Sequence, residues 1–257
     1  MPNYELIEIN QRNIATYPQV ICFINPKDPT FGLKVEWLEK RFAEGLRITA
    51  LKTEGAKKIT GFIEYVPGEF AWRAVECKGY MFIHCLWVGT KADREQGFGS
   101  ALVNHVIEQA RNQGMEGVCV LTSSDAFMAN DTLFEKLGFK TTDSTKVYKL
   151  MTVEFGKSEK RPKIIDNSKV LADMKGWHIL YSKQCPWVAR LIAEIQPVLD
   201  KNGVKAQIRE IKSAKEAQET PSIYGVLNLV HDGKLLSERY ISATRLQNII
   251  NKETGRR

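Results

Sequence analysis

From Tyr80 to Val88 the chain is apolar or aromatic apart from His84, and the run stops at Gly89. A run of that kind predicts a strand buried on both faces. A polar connection, residues 91–96, comes next. After Gly97-Phe98-Gly99-Ser100 apolar residues return at helical spacing, as Leu102, Val103, Val106, Ile107 and Ala110. This stripe predicts an amphipathic helix ended by Gly114. Residues 117–122, apolar up to Thr122, predict the next buried strand.

Upstream the pattern is more varied. Residues 4–9 alternate apolar and polar, which predicts an edge strand with one wet face. Residues 11–17 allow a short helix. Leu33, Trp37, Leu38, Arg41 and Phe42 fall at helical spacing within residues 31–44. Residues 45–51 and 59–66 read as two strands of a hairpin turning at residues 55–58. The interval 66–75 interrupts the sheet, and its Glu69, Trp72 and Arg73 are either substrate contacts on a loop or, for Trp72, a core plug.

Beyond Leu150 the texture changes. Residues 156–163 are polar, charged and broken by Pro162, a candidate linker. The chain then reads strand (177–181), helix (186–201), strand (205–211), a hairpin over residues 223–240 turning at Asp232-Gly233, and a helix (244–252). Asp-Gly between apolar runs is a strong hairpin signal.

A strand, a glycine-punctuated turn and a helix N-terminus together make an anion site, because the unpaired N–H groups of the first helical turn converge there. Gly97 and Gly99 let the main chain approach a diphosphate closely. The segment Arg94-Glu95-Gln96-Gly97-Phe98-Gly99 fits the pattern Q/R-x-x-G-x-G/A, preceded by a strand ending Leu86-Trp87-Val88. It resembles the acetyl-CoA site of the GNAT superfamily of N-acetyltransferases. Leu133-Phe134-Glu135-Lys136-Leu137-Gly138-Phe139 is similar to the LYEKLGF helix end of that family.

The second part is similar to a thioredoxin or glutaredoxin fold in its βαβ then ββα order. Tyr181-Ser182-Lys183-Gln184-Cys185-Pro186-Trp187 resembles the glutaredoxin strand-to-helix turn, and Thr220-Pro221 stands where that fold keeps a cis-proline. A tail of this kind on a GNAT domain resembles the YoaP-like acetyltransferases. The implied fold class is α/β (α+β), a GNAT-like mixed sheet flanked by helices and followed by a small thioredoxin-like domain. The implied boundaries are 1–155 for the acetyltransferase domain, 156–168 for the linker and 169–257 for the tail.

The resemblance implies direct acetyl transfer from acetyl-CoA, the acyl-donor substrate, to the amine of a small molecule or peptide. The amides from Arg94 through Glu95, Gln96, Gly97, Phe98 and Gly99 to Ser100 would hold the pyrophosphate, with Arg94 adding charge at the rim. The pantetheine arm would run along the edge of the strand at Leu86, Trp87 and Val88, as an added strand pairs. The family's CoA-binding asparagine aligns with Phe127, and Asn130 is a neighbouring substitute.

Transfer requires a neutral amine, a proton acceptor and an acid for the departing thiolate. The family's acid is a tyrosine, and this chain has Phe134 in that place. Glu64 and His84 are the candidate bases, each with a bland alternative as a wet-face carboxylate or a core histidine. Tyr65 and Tyr148 are lesser acid candidates. Cys185 precedes a helix whose N-terminus would lower its pKa, yet Val188 replaces the second cysteine of a dithiol motif. That leaves a monothiol role or a packing role, and a rival reading in which a thiol-dependent redox or sensor protein works through Cys185 while the acyl-CoA site is regulatory.

Five cysteines with no C-x-x-C pair indicate neither a disulfide framework nor a metal site. The net charge of +7 is uneven: residues 1–155 carry 18 Lys and Arg against 19 Asp and Glu, and residues 156–257 carry 19 against 11. The basic residues of the second part are scattered, without an interleaved aromatic stripe, so no nucleic-acid partner is expected. No segment has the length of a membrane span and the N-terminus lacks a signal-peptide core, so the chain is expected to be cytoplasmic with no membrane partner.

Overall fold

A computed structural model describes residues 2–124, 128–156, 158 and 160–255. The chain forms two compact units. The first gathers residues 1–23, 38–71 and 75–164; the second gathers residues 24–37, 72–74 and 165–257.

In the first unit, strand β1 (Tyr4–Ile9) is followed by two short 3₁₀ turns, Ile14–Thr16 and Pro18–Val20, where a helix over residues 11–17 was expected. Pro18 lacks an N–H and disfavours helical geometry at the residue before it, so the chain takes tight turns there. Helix α1 (Pro29–Ala43), whose residues up to Trp37 are counted with the second unit, leads to the antiparallel strands β2 (Arg47–Thr53) and β3 (Gly61–Pro67). Next come β4 (Val75–Glu76), β5 (Tyr80–Val88), the single turn α2 (Lys91–Arg94), α3 (Phe98–Asn112) and β6 (Gly117–Thr122). Helix α4 (Asp131–Lys136), the hairpin β7 (Lys140–Ser144) and β8 (Lys149–Glu154), and β9 (Lys163–Ile164) complete the unit.

Seven strands pair in the order β1-β2-β3-β5-β6-β8-β7, mixed in sense, with β5 and β6 parallel. Helix α3 covers one face of this sheet, burying Leu102, Val103, Val106 and Ala110 against Leu51, Ile63, Met81, Ile83, Val118 and Val120. At about 25 cal/mol per Å² of apolar surface, this stripe is what holds the helix on the sheet. The short strand β9 falls inside the segment read as linker and pairs with β4, a long-range partner that no local pattern announces.

The second unit holds α5 (Ser168–Asp173), β10 (Trp177–Tyr181), α6 (Pro186–Lys201), β11 (Ala206–Glu210), α7 (Ala214–Gln218), β12 (Leu227–His231), β13 (Lys234–Ser237) and α8 (Ala243–Glu253). Its sheet runs β11-β10-β12-β13, parallel only between β10 and β11. Leu191, Ile195 and Leu199 of α6 and Leu246 and Ile250 of α8 pack on Ile179, Leu227 and Leu229. The β12–β13 turn falls on Asp232 (φ 45°) and Gly233 (φ 75°), the two positive angles a tight two-residue hairpin needs. Pro221 is trans, since no cis peptide bond occurs among the described residues. The cis-proline expected there is therefore absent.

Candidate active site

Strand β5 changes character half-way. Tyr80 to Ile83 pair with Gly117 to Val120 of β6 and are buried, whereas from His84 to Val88 the strand has no β6 partner and is only partly buried. The expectation of burial throughout holds for the first half alone. On its other side β5 stays bonded to β3, but the register slips: Glu64 faces Cys85 and Tyr65 faces Ile83, leaving His84 as the extra residue of a bulge. A bulge turns a strand and re-aims side chains. Beyond it, the β6 side of β5 has no strand partner among the described residues.

The bulge also changes which residues share a face. Met81 and Ile83 lie on the α3 side, and so do Leu86 and Val88, so the alternation skips between residues 83 and 86. Phe62 and Glu64 of β3 alternate with Ile63 and Tyr65 and thus occupy the face away from α3. There Nδ1 of His84 lies 3.3 Å from Oε1 of Glu64, and the two side chains are only 0% and 5% exposed. The ring of Phe82 meets His84 edge-on at 5.4 Å. The two candidate bases therefore form one enclosed pair at the point where β5 leaves β6. Tyr65 sits on the opposite face, 3.4 Å from the Thr49 hydroxyl, and burial pushes its phenol up.

The turn after β5 is built by Thr90, which caps α2: its N–H and hydroxyl donate to Asp93 Oδ2 at 2.7 and 2.8 Å. Arg94 folds back, its guanidinium donating to the carbonyls of Val88 (3.4 Å) and Gly89 (3.3 Å). Glu95 and Gln96 are exposed. Gly97 takes φ 81° before α3, a left-handed angle that side chains disfavour. A Cβ on Gly99 would lie 3.2 Å from Leu133 Cδ2. The first backbone bond of α3 is Ala101 N to Gly97 O (3.0 Å), which leaves the amides of Phe98, Gly99 and Ser100 without an intrahelical acceptor. Phe98 itself is buried, so this turn presents main chain more than side chains.

Two positions answer the expected acid and asparagine. Phe134 is fully buried against Phe139, with ring centroids 5.2 Å apart. Asn130 is the exposed residue preceding α4, and Phe127 lies outside the described residues. Tyr148 is buried in the first unit. Glu69 is exposed on a 3₁₀ turn of that unit.

Cys185 belongs to the second unit. It precedes α6 and is partly exposed at its surface. Burial pushes its thiol up, against the opposing pull of the Val188 and Trp187 N–H groups and of Lys34 and Arg73. The lowered pKa expected from the helix N-terminus is thus outweighed by desolvation. Trp72 is buried edge-on to Trp37 at 5.0 Å, and Arg73 Nη1 donates to Trp72 O (2.6 Å) and Gln184 Oε1 (2.7 Å), all within this unit.

A family assignment fits this geometry. Residues 14–139 match the model of the acetyltransferase (GNAT) family. This part of the chain is similar to that family. The chain is an N-acetyltransferase. It is 28% identical over 253 residues to the uncharacterized N-acetyltransferase YoaP of Bacillus subtilis (strain 168), a match spanning 95% of this chain and 98% of the relative. Among solved structures it is similar to a GNAT family acetyltransferase from Brucella melitensis in complex with acetyl-CoA, at 16% identity and TM-score 0.41, covering 63% of this chain and 94% of that one. Another is the PaiA N-acetyltransferase from Thermoplasma acidophilum in complex with coenzyme A, at 12% identity and TM-score 0.44, covering 60% and 99%. No helix among the described residues is long and apolar enough to cross a membrane.

Proposed function

We propose that the chain transfers the acetyl group directly from acetyl-CoA to the amine of a small molecule or peptide, with Glu64 and His84 taking up the proton. The pantetheine arm pairs with the open edge of β5 along Leu86, Trp87 and Val88. The diphosphate rests on the amides of Gly97 to Ser100, with Arg94, Glu95 and Gln96 at the rim. The neutral amine attacks the thioester carbonyl, a C–N bond forms, the C–S bond breaks, and the amine proton passes to the Glu64–His84 pair. Phe134 has no proton to give, so the thiolate leaves as the anion.

The observation that carries this reading is the enclosed Glu64–His84 contact of 3.3 Å at the bulge where β5 leaves β6. A buried carboxylate beside an imidazole is suited to accepting a proton in a dry site. For the second unit we propose a thioredoxin-like module in which Cys185 packs the start of α6 and does not act as a redox thiol. Its sheet order, the missing second cysteine at Val188 and the raised thiol support this. Residues 1–155 as acetyltransferase domain, 156–168 as linker and 169–257 as tail remain the proposed division.

The test of donor binding is calorimetry with acetyl-CoA on the native chain and on Gly97→Trp, together with mass detection of the acetylated amine. Binding and turnover are expected for the native chain and neither for the variant. Tight acetyl-CoA binding by Gly97→Trp would remove the diphosphate from this turn.

A further inference from the structure

Within the first unit, one stretch of backbone is strained and points an aromatic ring outward. Cys22 and Phe23 both adopt left-handed angles, φ 50° and 60°, which non-glycine residues rarely take and which persist only where the surroundings enforce them. Val20 and Ile21 just before them are buried, 1% and 0% exposed, and pin the turn. Phe23 is left 49% exposed.

The exposed ring has a defined neighbour. Its centroid lies 4.5 Å from that of Trp87, tilted by 60°, and Trp87 in turn stacks on Phe62 at 6.0 Å and 28°. Phe62 is buried. Phe62 and Trp87 occupy the face of β3 and β5 away from α3, the same face as Glu64 and His84. Trp87 stands three residues along β5 from His84, about 10 Å at the rise of a strand. Its indole leans toward Gly89, where an added Cβ would lie 3.5 Å from Cη2. An aromatic wall thus shares a face with the proton acceptor, at a distance that a short aliphatic chain spans.

We infer that the acceptor is an amine carrying an aromatic ring on a short aliphatic spacer, the ring held by Phe23 and Trp87 while the nitrogen reaches the Glu64–His84 pair. This rests on the acetyl-transfer reading above. The donor's pantetheine pairs with the strand edge through main-chain groups, so the aromatic side chains on the face remain for the acceptor. Phe23, Trp87 and Phe62 offer ring surface and no charge, which favours a flat apolar group whose ring can pack in a tilted or offset arrangement.

The experiment compares 4-phenylbutylamine with n-butylamine, which lacks the ring, on the full chain and on Phe23→Ala and Phe23→Tyr. Coenzyme A release gives kcat and KM, and calorimetry gives the affinity of each amine for the protein loaded with coenzyme A. The native chain is expected to prefer 4-phenylbutylamine by about tenfold in kcat/KM. Phe23→Ala is expected to lower that preference about fivefold through KM, and Phe23→Tyr to keep it. Equal use of the two amines by the native chain, or an unchanged preference in Phe23→Ala, overturns the aromatic grip while leaving acetyl transfer intact. Acetyl-CoA binding without turnover of either amine overturns the transfer reading instead. The calorimetric titrations then decide the grip separately, tighter binding of 4-phenylbutylamine that Phe23→Ala weakens supporting it and equal binding overturning it.

Discussion

Position 134 holds a phenylalanine where the resemblance implies a tyrosine as proton donor. The ring is fully buried and meets Phe139 edge-on. A hydroxyl added there would be desolvated without a partner in that apolar contact. Phe134→Tyr is therefore expected to lose about 1–3 kcal/mol of stability in urea unfolding and to gain no rate. A faster variant would show that the hydroxyl reaches the leaving sulfur. Cys185 offers a second test at this scale. Burial raises its thiol above the ordinary value, so the stability held by the neutral form is complete below that value and falls away as pH rises through the folded one. Iodoacetamide labelling of Cys185 is accordingly expected to have its midpoint above the ordinary thiol value, and a midpoint below about 7.5 would restore an activated thiolate.

The elements that carry the site divide into those a linear pattern exposes and those it hides. Strand β5, helix α3, strand β6, helix α6 and the Asp232-Gly233 turn follow from apolar runs, helical spacing and turn chemistry, and the helix and turn positions match closely. The turn between β5 and α3 was likewise readable, because Gly97 and Gly99 punctuate the passage from a strand to a helix. Hidden were the bulge at His84, the parting of β5 from β6, and the pairing of β4 with β9. Each depends on residues distant in sequence. Glu64 and His84 could be singled out one by one as polar residues in apolar strands, but their contact depends on the register slip. Phe23 gave no signal, since a positive φ at a phenylalanine is a tertiary imposition. If the open edge of β5 receives the donor, amide hydrogen exchange across His84 to Val88 should slow when acetyl-CoA is added. Unchanged exchange there, with acetyl-CoA bound, would place the pantetheine elsewhere.

Across the whole molecule, each of the two compact units has its own buried core. In the second, Leu191 of α6 is 1% exposed among Val188, Ile195 and the β-strand residues, so Leu191→Ala is expected to cost about 2–5 kcal/mol. Thermal unfolding followed by circular dichroism measures it, and a loss well under 1 kcal/mol would mean that the second core is not closely packed. The first unit carries the acetyltransferase signature, the open strand edge and the enclosed pair. The central claim is that this pair accepts the amine proton. Its most direct test is the steady-state rate of coenzyme A release by Glu64→Gln with a turned-over amine, alongside its acetyl-CoA affinity. A kcat lowered about 100-fold at unchanged acetyl-CoA affinity is the predicted result. A rate equal to that of the native chain would contradict it.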